Sequence, residues 1–562
     1  MNKKWQVYDV NEEQVEKIIN ENNVNKLIAT ILSNRGIIEK EDINVFLNPS
    51  RNDFHDPYNM PDMEIAVERI IKAKENNEKV IIYGDYDVDG ITSITVLKSF
   101  LQDIGIEADS YIPNRLTEGY GLNIPAVEEI AKKGYNLMIT VDCGISCIEE
   151  VKRANELGLE TIITDHHEVG DILPNAIAVV DCKRKDNKYQ CRDLAGVGVA
   201  FKLAQALSIK LGLDEKEYLK YLDIVCIGTI SDIVPLVDEN RVISKLGLML
   251  VNRTNNIGLR GILNASGYKN IDSTAVSFGV APRLNACGRM GHADEALKLF
   301  LSKNISEVQE LTNLLNEYNK IRQDTERKIY EDAILQIENK NLDKDKVIIV
   351  SGDNWHHGVI GIVSSKITEM YFKPSVLLSL EDKTLKGSGR SIPGFDLYDT
   401  LTKCQDELEK FGGHSMAVGL SLKEENIGKF KEKIEQIAEE QHIEEINPVI
   451  KIDAKINLNE ITKEMVESLK TLEPFGEANK MPIFLFKNLT IDSIRSLSEG
   501  KHLKLTLKDS SVIVNAIGFN MGSLVDDYRI GDKIDVVGTL EINSFNGLDS
   551  IQINLKDVMK SI

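Results

Sequence analysis

Cysteine is sparse and unpatterned in this chain. There are seven among 562 residues, an odd number scattered without the paired spacings of a zinc site. Cys143 and Cys147 form a lone Cys-x-x-x-Cys with no matching pair. Such thiols suit a reducing cytosol. Long apolar runs are also missing. No stretch is long enough to span a membrane, and Met1-Asn2-Lys3-Lys4-Trp5 has no apolar signal core behind it. A cytoplasmic protein without a membrane partner is expected. Positive charge is in deficit, with 67 Lys and Arg against 88 Asp and Glu, a net charge of −21. That balance argues against a nucleic-acid partner at first sight. Two effects weaken the argument. Acidic metal sites bring their own positive charge, and a local basic groove fits on an acidic protein. Steering toward nucleic acid would then be local. The remaining composition, 42% hydrophobic and 28% charged, is that of a globular protein with room for several domains.

What is present is organised around Tyr83-Gly84-Asp85-Tyr86-Asp87-Val88-Asp89-Gly90. The apolar run Val80-Ile81-Ile82 before it reads as a buried strand, and the run from Ile91 as a helix. Three carboxylates therefore sit at the C-terminal end of a strand, where open α/β sheets bind ligands. Their mutual repulsion is relieved most simply by a hard divalent cation. An EF-hand loop also opens Asp-x-Asp-x-Asp-Gly, but it needs Glu at position twelve, and counting from Asp85 that residue is Val96. The preceding strand is wrong for an EF-hand as well.

Residues 1 to about 75 read as a mostly helical lead-in. Strand–helix alternation follows, with strands expected over 80–83, 108–112, 136–141, 160–164 and 176–180, which argues a parallel sheet covered by helices. The strand ends repeat one theme. Asp142-Cys143-Gly144 follows one, Asp165-His166-His167 another, and the apolar run 224–230 leads into Ser231-Asp232. Singly, each Asp reads as a helix N-cap and the His pair as a turn. Together they supply carboxylates and an imidazole for two divalent ions. Gly196-Val197-Gly198-Val199 looks like a dinucleotide fingerprint, but Phe201 stands where Gly is required, so no nucleotide cofactor is implied. Residues 305–345 lack Gly and Pro and carry Leu311, Leu314, Leu315 and Tyr318 at helical spacing, a long helical connector. Mixed α/β returns from 346. From about 449 the pattern turns to short strands over 483–486, 502–507, 512–519, 533–540 and 551–555, with Asn546-Gly547 as a turn signal. That suggests a small β-barrel, for which OB and SH3-like folds fit the spacing equally.

Asp87-x-Asp89, Asp142, Asp165-His166-His167 and Asp232 resemble the four motifs of the DHH phosphoesterase superfamily. Within it the chain is most similar to the RecJ family of single-strand-specific DNA exonucleases. The resemblance extends through Arg115 in Pro113-Asn114-Arg115-Leu116-Thr117-Glu118-Gly119-Tyr120-Gly121, and through Arg283 and Arg289 in the segment from Ala281 to Met290. It continues with Trp355-His356-His357-Gly358, Ser388-Gly389-Arg390, Gly412-Gly413-His414 and Pro474-Phe475-Gly476-Glu477. Ala478 and Lys480 depart from the pattern, which leaves that loop's geometry open.

The resemblance implies an α/β fold. Its parts are a helical lead-in (1–75), a parallel-sheet DHH catalytic domain (76–304), a helical connector (305–345), a second α/β domain of DHHA1 type across a cleft (346–448), and an OB-like barrel that binds single strands (449–562). Among the barrel aromatics, Phe484, Phe486, Phe519 and Phe545 are the candidates for stacking on bases, although most aromatics of a small barrel are core. Some members carry a further C-terminal domain, and contacts made by it are expected to be absent.

The same resemblance implies two divalent cations, Mn2+ or Mg2+, the histidine favouring manganese. Asp142 would bridge them, with Asp85 and Asp87 serving one ion and Asp89, His166 and Asp232 the other. Asp165 would orient His166 by accepting its ring N–H, and His167 would hydrogen-bond the scissile phosphate or leaving oxygen. Catalysis thus falls to Asp142, His166, His167 and Asp165. Arg115, Arg289, Ser388, Arg390, Gly412, Gly413 and His414 would grip the strand or its terminal 5′ phosphate. For any one arginine the plain alternative is a surface ion pair, and Arg283 reads as readily as structural. His356 and His357 stay outside the catalytic set.

The implied activity is 5′–3′ digestion of single-stranded DNA to 5′-mononucleotides in repair and recombination. A single-strand-binding protein and a RecQ-type helicase are candidate partners, and a monomer is expected. The rival readings are a phosphodiesterase for short oligonucleotides, cyclic dinucleotides or pyrophosphate, and a non-catalytic DNA-binding scaffold.

Overall fold

The computed structural model describes residues 3–510, 512–545 and 548–561. The expected Asn546-Gly547 turn and the Phe545 side chain lie outside what it describes. The chain forms two compact units, one of His55–Val234 with Leu246–Ile446, the other of Met1–Phe54, Pro235–Lys245 and Asn447–Ile562.

In the larger unit, β1 (Val80–Gly84), β2 (Ala108–Tyr111), β3 (Leu137–Val141), β4 (Glu160–Asp165) and β5 (Ala178–Asp181) make one sheet in the order β2-β1-β3-β4-β5. Every pairing in it is parallel. All residues of β1 and β3 are buried. Helices cover both faces of such a sheet, so its central strands read as unbroken apolar runs. Strand order reverses at β1, which opens a crevice beyond the carboxyl ends of β1 and β3. Asp85 and Asp142 follow those two ends.

Three of the helices in this layer bear on the site, α1 (Val88–Asp103), α2 (Gly196–Lys210) and α3 (Leu222–Ser231). The last corrects the reading of residues 224–230 as a strand end. Leu222 to Ile230 are all buried, including Asp223 and Thr229. A helix apolar on every side has no amphipathic period, so its sequence cannot be told from a buried strand. Asp232 therefore arrives from a helix C-terminus. Further on, a π-helical turn (Val276–Val280) leads into α4 (Ala281–Arg289), and α5 (Ile305–Lys340) is one helix of 36 residues.

A second sheet follows in the same unit. It contains β6 (Ile348–Asp353), β7 (Ser375–Glu381), β8 (Thr384–Arg390), β9 (Lys410–His414) and β10 (Ala417–Lys423), in the order β9-β10-β8-β7-β6. Only β6 and β7 pair in parallel. Helix α6 (His357–Tyr371) buries Val359, Ile360, Val363 and Ile367 in a core shared with Ile329, Ala333 and Ile337 of α5.

In the smaller unit, β11 (Phe484–Leu497), β12 (His502–Asp509), β13 (Val512–Gly518), β14 (Lys533–Phe545) and β15 (Leu548–Lys560) run β11-β12-β13-β15-β14, and a β11–β14 pairing closes the barrel. Phe484 and Phe486 are fully buried in its core, whereas Phe519 is 53% exposed. Val15, Ile18, Ile31 and Leu32 of the N-terminal helices join the same core as Leu472 and Phe484. Lys4–Val7 pairs in parallel with Val449–Ile452, a strand that the helical reading of the lead-in did not contain. Among the described residues, no helix is long and apolar enough to cross a membrane.

Candidate metal centre and phosphate-binding groups

Asp85, just beyond β1, is 2% exposed, and its Oδ1 has no hydrogen-bond partner. Two residues on, Asp87 caps α1, its Oδ1 accepting from the backbone N–H groups of Asp89 and Gly90 at 2.9 and 3.1 Å. Two residues further, in the first turn of α1, Asp89 is buried against the start of α2. Its Oδ2 accepts from Gly196 N–H at 2.6 Å and its Oδ1 from Val197 N–H at 2.8 Å. These are orphan donors of a helix N-terminus, which favours an anion there. The glycines set aside for lacking a dinucleotide fingerprint thus hold a carboxylate. A Cβ on Gly196 would lie 2.6 Å from Asp142 Cβ and 2.7 Å from its Oδ1, so only glycine lets α2 approach.

Asp142 takes the left-handed conformation, with φ of 58°, as Asp tolerates better than most residues. His166 points its Nε2 into the carboxylates, 3.1 Å from Asp142 Oδ1 and 3.7 Å from both Asp89 Oδ2 and Asp232 Oδ2. That nitrogen is buried and makes no hydrogen bond. It faces the carboxylate cluster. Oxygens of Asp85, Asp87 and Asp142 lie within 4.8 Å of one another. Equally compact groups are Asp89, His166 and Asp232, and Asp142, His166 and His167.

The electrostatics show what this cluster lacks. Burial first, then the neighbouring Asp87, holds Asp85 well above the usual carboxylate range. Asp142 is raised by burial and by Asp89, Asp87, Asp232 and Asp85. Asp89 is pushed up to about 7 and Asp232 to about 9, again by burial and then by like charge. His166 goes the other way, down to about 3, from burial and the adjacent His167. Crowded carboxylates, an unpartnered carboxylate oxygen and a neutral imidazole with its Nε2 aimed among them make a donor set that fits divalent cations.

Asp165 corrects one expectation. It does not orient His166. Its Oδ1 lies 2.7 Å from His167 Nδ1 and also accepts from the His166 and His167 backbone N–H groups, while Oδ2 takes Ile145 N–H at 2.9 Å. Burial alone would raise Asp165 and lower His167. The bond between them reverses both, so Asp165 sits below its ordinary value and His167 is raised to about 9. The Tyr120 hydroxyl lies 3.2 Å from the His167 Nε2. Tyr120 carried no signal beyond lying in the segment of Arg115.

A second group of charges lies alongside. Arg115 stacks 5.0 Å from the Tyr86 ring, and its charge works to lower Asp85. Arg289 is brought down to about 10 by burial and then by Arg115, Arg322 and Arg390, while Asp87 opposes. Its Nη1 donates to Gly358 O at 2.9 Å, which ties α4 to the start of α6. Arg390 on β8 is lowered by burial and by Arg115, and donates to Ser388 Oγ at 3.0 Å. Three arginines so close, without a carboxylate bonded to any of them among the described residues, are built to receive an anion. Gly412, Gly413 and His414 are exposed on β9, joined through β10 to the strand of Ser388 and Arg390. Gly413 has φ of 135°, open to glycine alone. Arg283 is tied to Asn316 Oδ1 at 2.8 Å, and His357 to Glu381 at 2.8 Å.

Comparison with known proteins bears directly on this arrangement. Residues 79–229 match the DHH family, N-terminal domain, residues 344–440 the DHHA1 domain, and residues 452–557 the RecJ OB domain. The single-stranded-DNA-specific exonuclease RecJ of Bacillus subtilis is 39% identical over 564 residues, covering 99% of this chain and 71% of its own. The chain belongs to the RecJ family. The Haemophilus influenzae RecJ is 34% identical over 522 residues, 88% of this chain and 90% of that one. A crystal structure of Thermus thermophilus RecJ in complex with Mn2+ superposes with a TM-score of 0.87 at 29% identity, covering 100% of this chain and 80% of that chain. The Mg2+ complex of the same RecJ gives 0.79. The OB match decides between the two barrel types that spacing had left open.

Proposed function

We propose that this RecJ-family chain is a metal-dependent 5′–3′ exonuclease of single-stranded DNA that releases 5′-mononucleotides in repair and recombination. The observation that carries the reading is the nearness of two charge sets of opposite sign. Carboxylates and a neutral imidazole crowd one side, and Arg115, Arg289 and Arg390 stand beside them. A phosphodiester next to bound cations satisfies both sets at once. In this reading Asp85, Asp87, Asp89, Asp142, His166 and Asp232 hold two divalent ions, Mn2+ or Mg2+, with Asp142 shared between them. The ions would lower the pKa of the attacking water and neutralise charge on the scissile phosphate.

The chain's own residues do the rest. Gly196 and Val197 N–H groups fix Asp89 in direction and oppose the rise that burial imposes on it. Burial and the adjacent His167 keep His166 neutral, with its Nε2 among the carboxylates. Asp165 keeps a proton on His167, placed to hydrogen-bond the scissile phosphate or to protonate the leaving oxygen. Arg115, Arg289, Arg390 and Ser388 would grip the terminal 5′ phosphate, and Gly412, Gly413 and His414 the strand behind it. We carry the division at 76–304, 346–448 and 449–562 as catalytic, DHHA1 and strand-holding parts. A single-strand-binding protein and a RecQ-type helicase are the partners such an enzyme would use, acting as a monomer in the cytoplasm.

The test is a timed digestion with Mn2+ or Mg2+ of matched strands labelled at either end, a blunt duplex and a dinucleotide. Immediate release of a mononucleotide from the 5′ label, with the duplex spared, is expected. Cleavage of the dinucleotide alone would transfer the chain to the small-substrate branch.

A further inference from the structure

A cavity of about 370 Å3 lies in the larger unit, lined by none of the metal-centre or phosphate-binding residues. Asn252, Arg253, Thr254, Arg260, Tyr268 and Lys269 line its polar part. Its lining holds three cations and no carboxylate, in a chain whose net charge is −21. Among the described residues none of these three cations makes an ion pair, while Asp272 nearby gives its Oδ1 to Ala275 N–H at 2.7 Å. Arg260 is held in place, its Nη2 donating to Thr254 O at 2.5 Å. Tyr268, partly exposed, packs on the next element. Its ring sits against Gly279 so closely that a Cβ there would lie 2.8 Å from it, and Gly279 belongs to the π-helical turn of Val276–Val280. Such turns recur at functional sites.

The same pocket is joined to the metal centre by a short covalent and hydrogen-bonded route. Thr254 Oγ1 donates to Asp223 Oδ2 at 2.5 Å. Asp223 lies in the first turn of α3, and Asp232 follows that helix's last residue. At 1.5 Å of rise per residue the two are separated by roughly 14 Å along the axis.

We propose that Arg253, Arg260, Lys269 and Tyr268 form a second anion site that takes a ligand bearing several phosphate groups. Guanidinium forks and an ammonium suit phosphate oxygens. Both a free oligophosphate and the backbone of a bound strand offer that chemistry. A ligand there that shifts Thr254 would bear on the position of Asp232.

The test uses the full chain with Mn2+ and labelled tripolyphosphate in equilibrium dialysis, in an Arg390→Ala background that weakens binding near the catalytic centre. One tripolyphosphate per chain is expected, bound at least tenfold more weakly when Arg253→Gln and Lys269→Gln are added. Binding unchanged by those two substitutions overturns the site. A second measurement needs no variant. Tripolyphosphate should protect Lys269 from an amine-acylating reagent, as read by mass spectrometry, and absence of protection also overturns the proposal. The source is then separated by KM in an otherwise unaltered chain carrying Arg253→Gln and Lys269→Gln, an arm that rests on the exonuclease reading. A rise for long strands but not for a trinucleotide assigns the site to the strand. Unchanged KM, with tripolyphosphate binding lost, assigns it to a free oligophosphate.

Discussion

Gly196→Ala tests how the metal centre is held together. The added methyl would stand 2.6 Å from Asp142 Cβ and 2.7 Å from Asp142 Oδ1. Ordinary carbon contacts begin near 3.5 Å, so α2 or Asp142 must yield by about 0.9 Å. Either movement reaches both ligand groups, because the Gly196 N–H holds Asp89 and Asp142 is shared by two of the compact sets. Overpacking of this kind costs about 1–3 kcal/mol, a loss of a few degrees in melting temperature that leaves the chain folded. A catalytic group displaced by about 1 Å costs on the order of 10²-fold in rate. The expected result is a kcat lowered about a hundredfold on single strands, together with weaker Mn2+ binding by calorimetric titration. Wild-type kcat and Mn2+ affinity in a folded Gly196→Ala protein would refute the close packing of α2 on the site.

Other consequences can be checked more simply. Asp89 is raised to about 7 and Asp232 to about 9, so folding takes up protons. That stability is present below the unfolded carboxylate value near 4 and is lost as pH rises through the folded values. Thermal melts of chelator-treated protein should therefore fall between pH 5 and pH 8, with Mn2+ restoring the loss, and a flat profile would contradict the crowding. Asp165→Asn removes the acceptor that raises His167 to about 9. At pH 8 its rate should drop roughly 10²-fold with the optimum displaced toward acid, and its stability deficit should be largest below the unfolded His value near 6.5. An unshifted pH–rate profile would remove His167 from proton transfer. Arg390→Ala should raise KM for 5′-phosphorylated strands by about 30-fold, equivalent to roughly 2 kcal/mol for a charged hydrogen bond. Strands with a 5′ hydroxyl should be affected little, and equal effects on both ends would place Arg390 elsewhere.

The α/β class and the parallel sheet were readable because its central strands are buried apolar runs, and the motif residues at their ends stood out by type. Where the sequence misled, the cause is physical. Residues 224–230 are apolar on every side, so the period that separates helix from strand is missing. The Asp165–His167 bond depends on a side-chain direction that motif order does not encode. Gly196 looked like a failed cofactor motif because its task, close approach to Asp142 and an N–H for Asp89, is defined only by partners far upstream in the sequence. The union of the N-terminal helices with the barrel core was hidden for the same reason. Val15, Ile31 and Leu472 show an apolar face in sequence but not which core it joins. The arginines were found by resemblance. Their nearness to one another is a property of the fold.

The most direct measurement is Mn2+ stoichiometry and turnover on a 5′-phosphorylated single strand, taken together for the unaltered chain and for Asp142→Asn. Two ions per unaltered chain are expected. Fewer than two are expected for the folded variant, with hydrolysis abolished because the lost carboxylate is shared between the sets. Near-normal turnover in Asp142→Asn, or full turnover with no bound Mn2+ or Mg2+, would contradict a metal centre built on these residues.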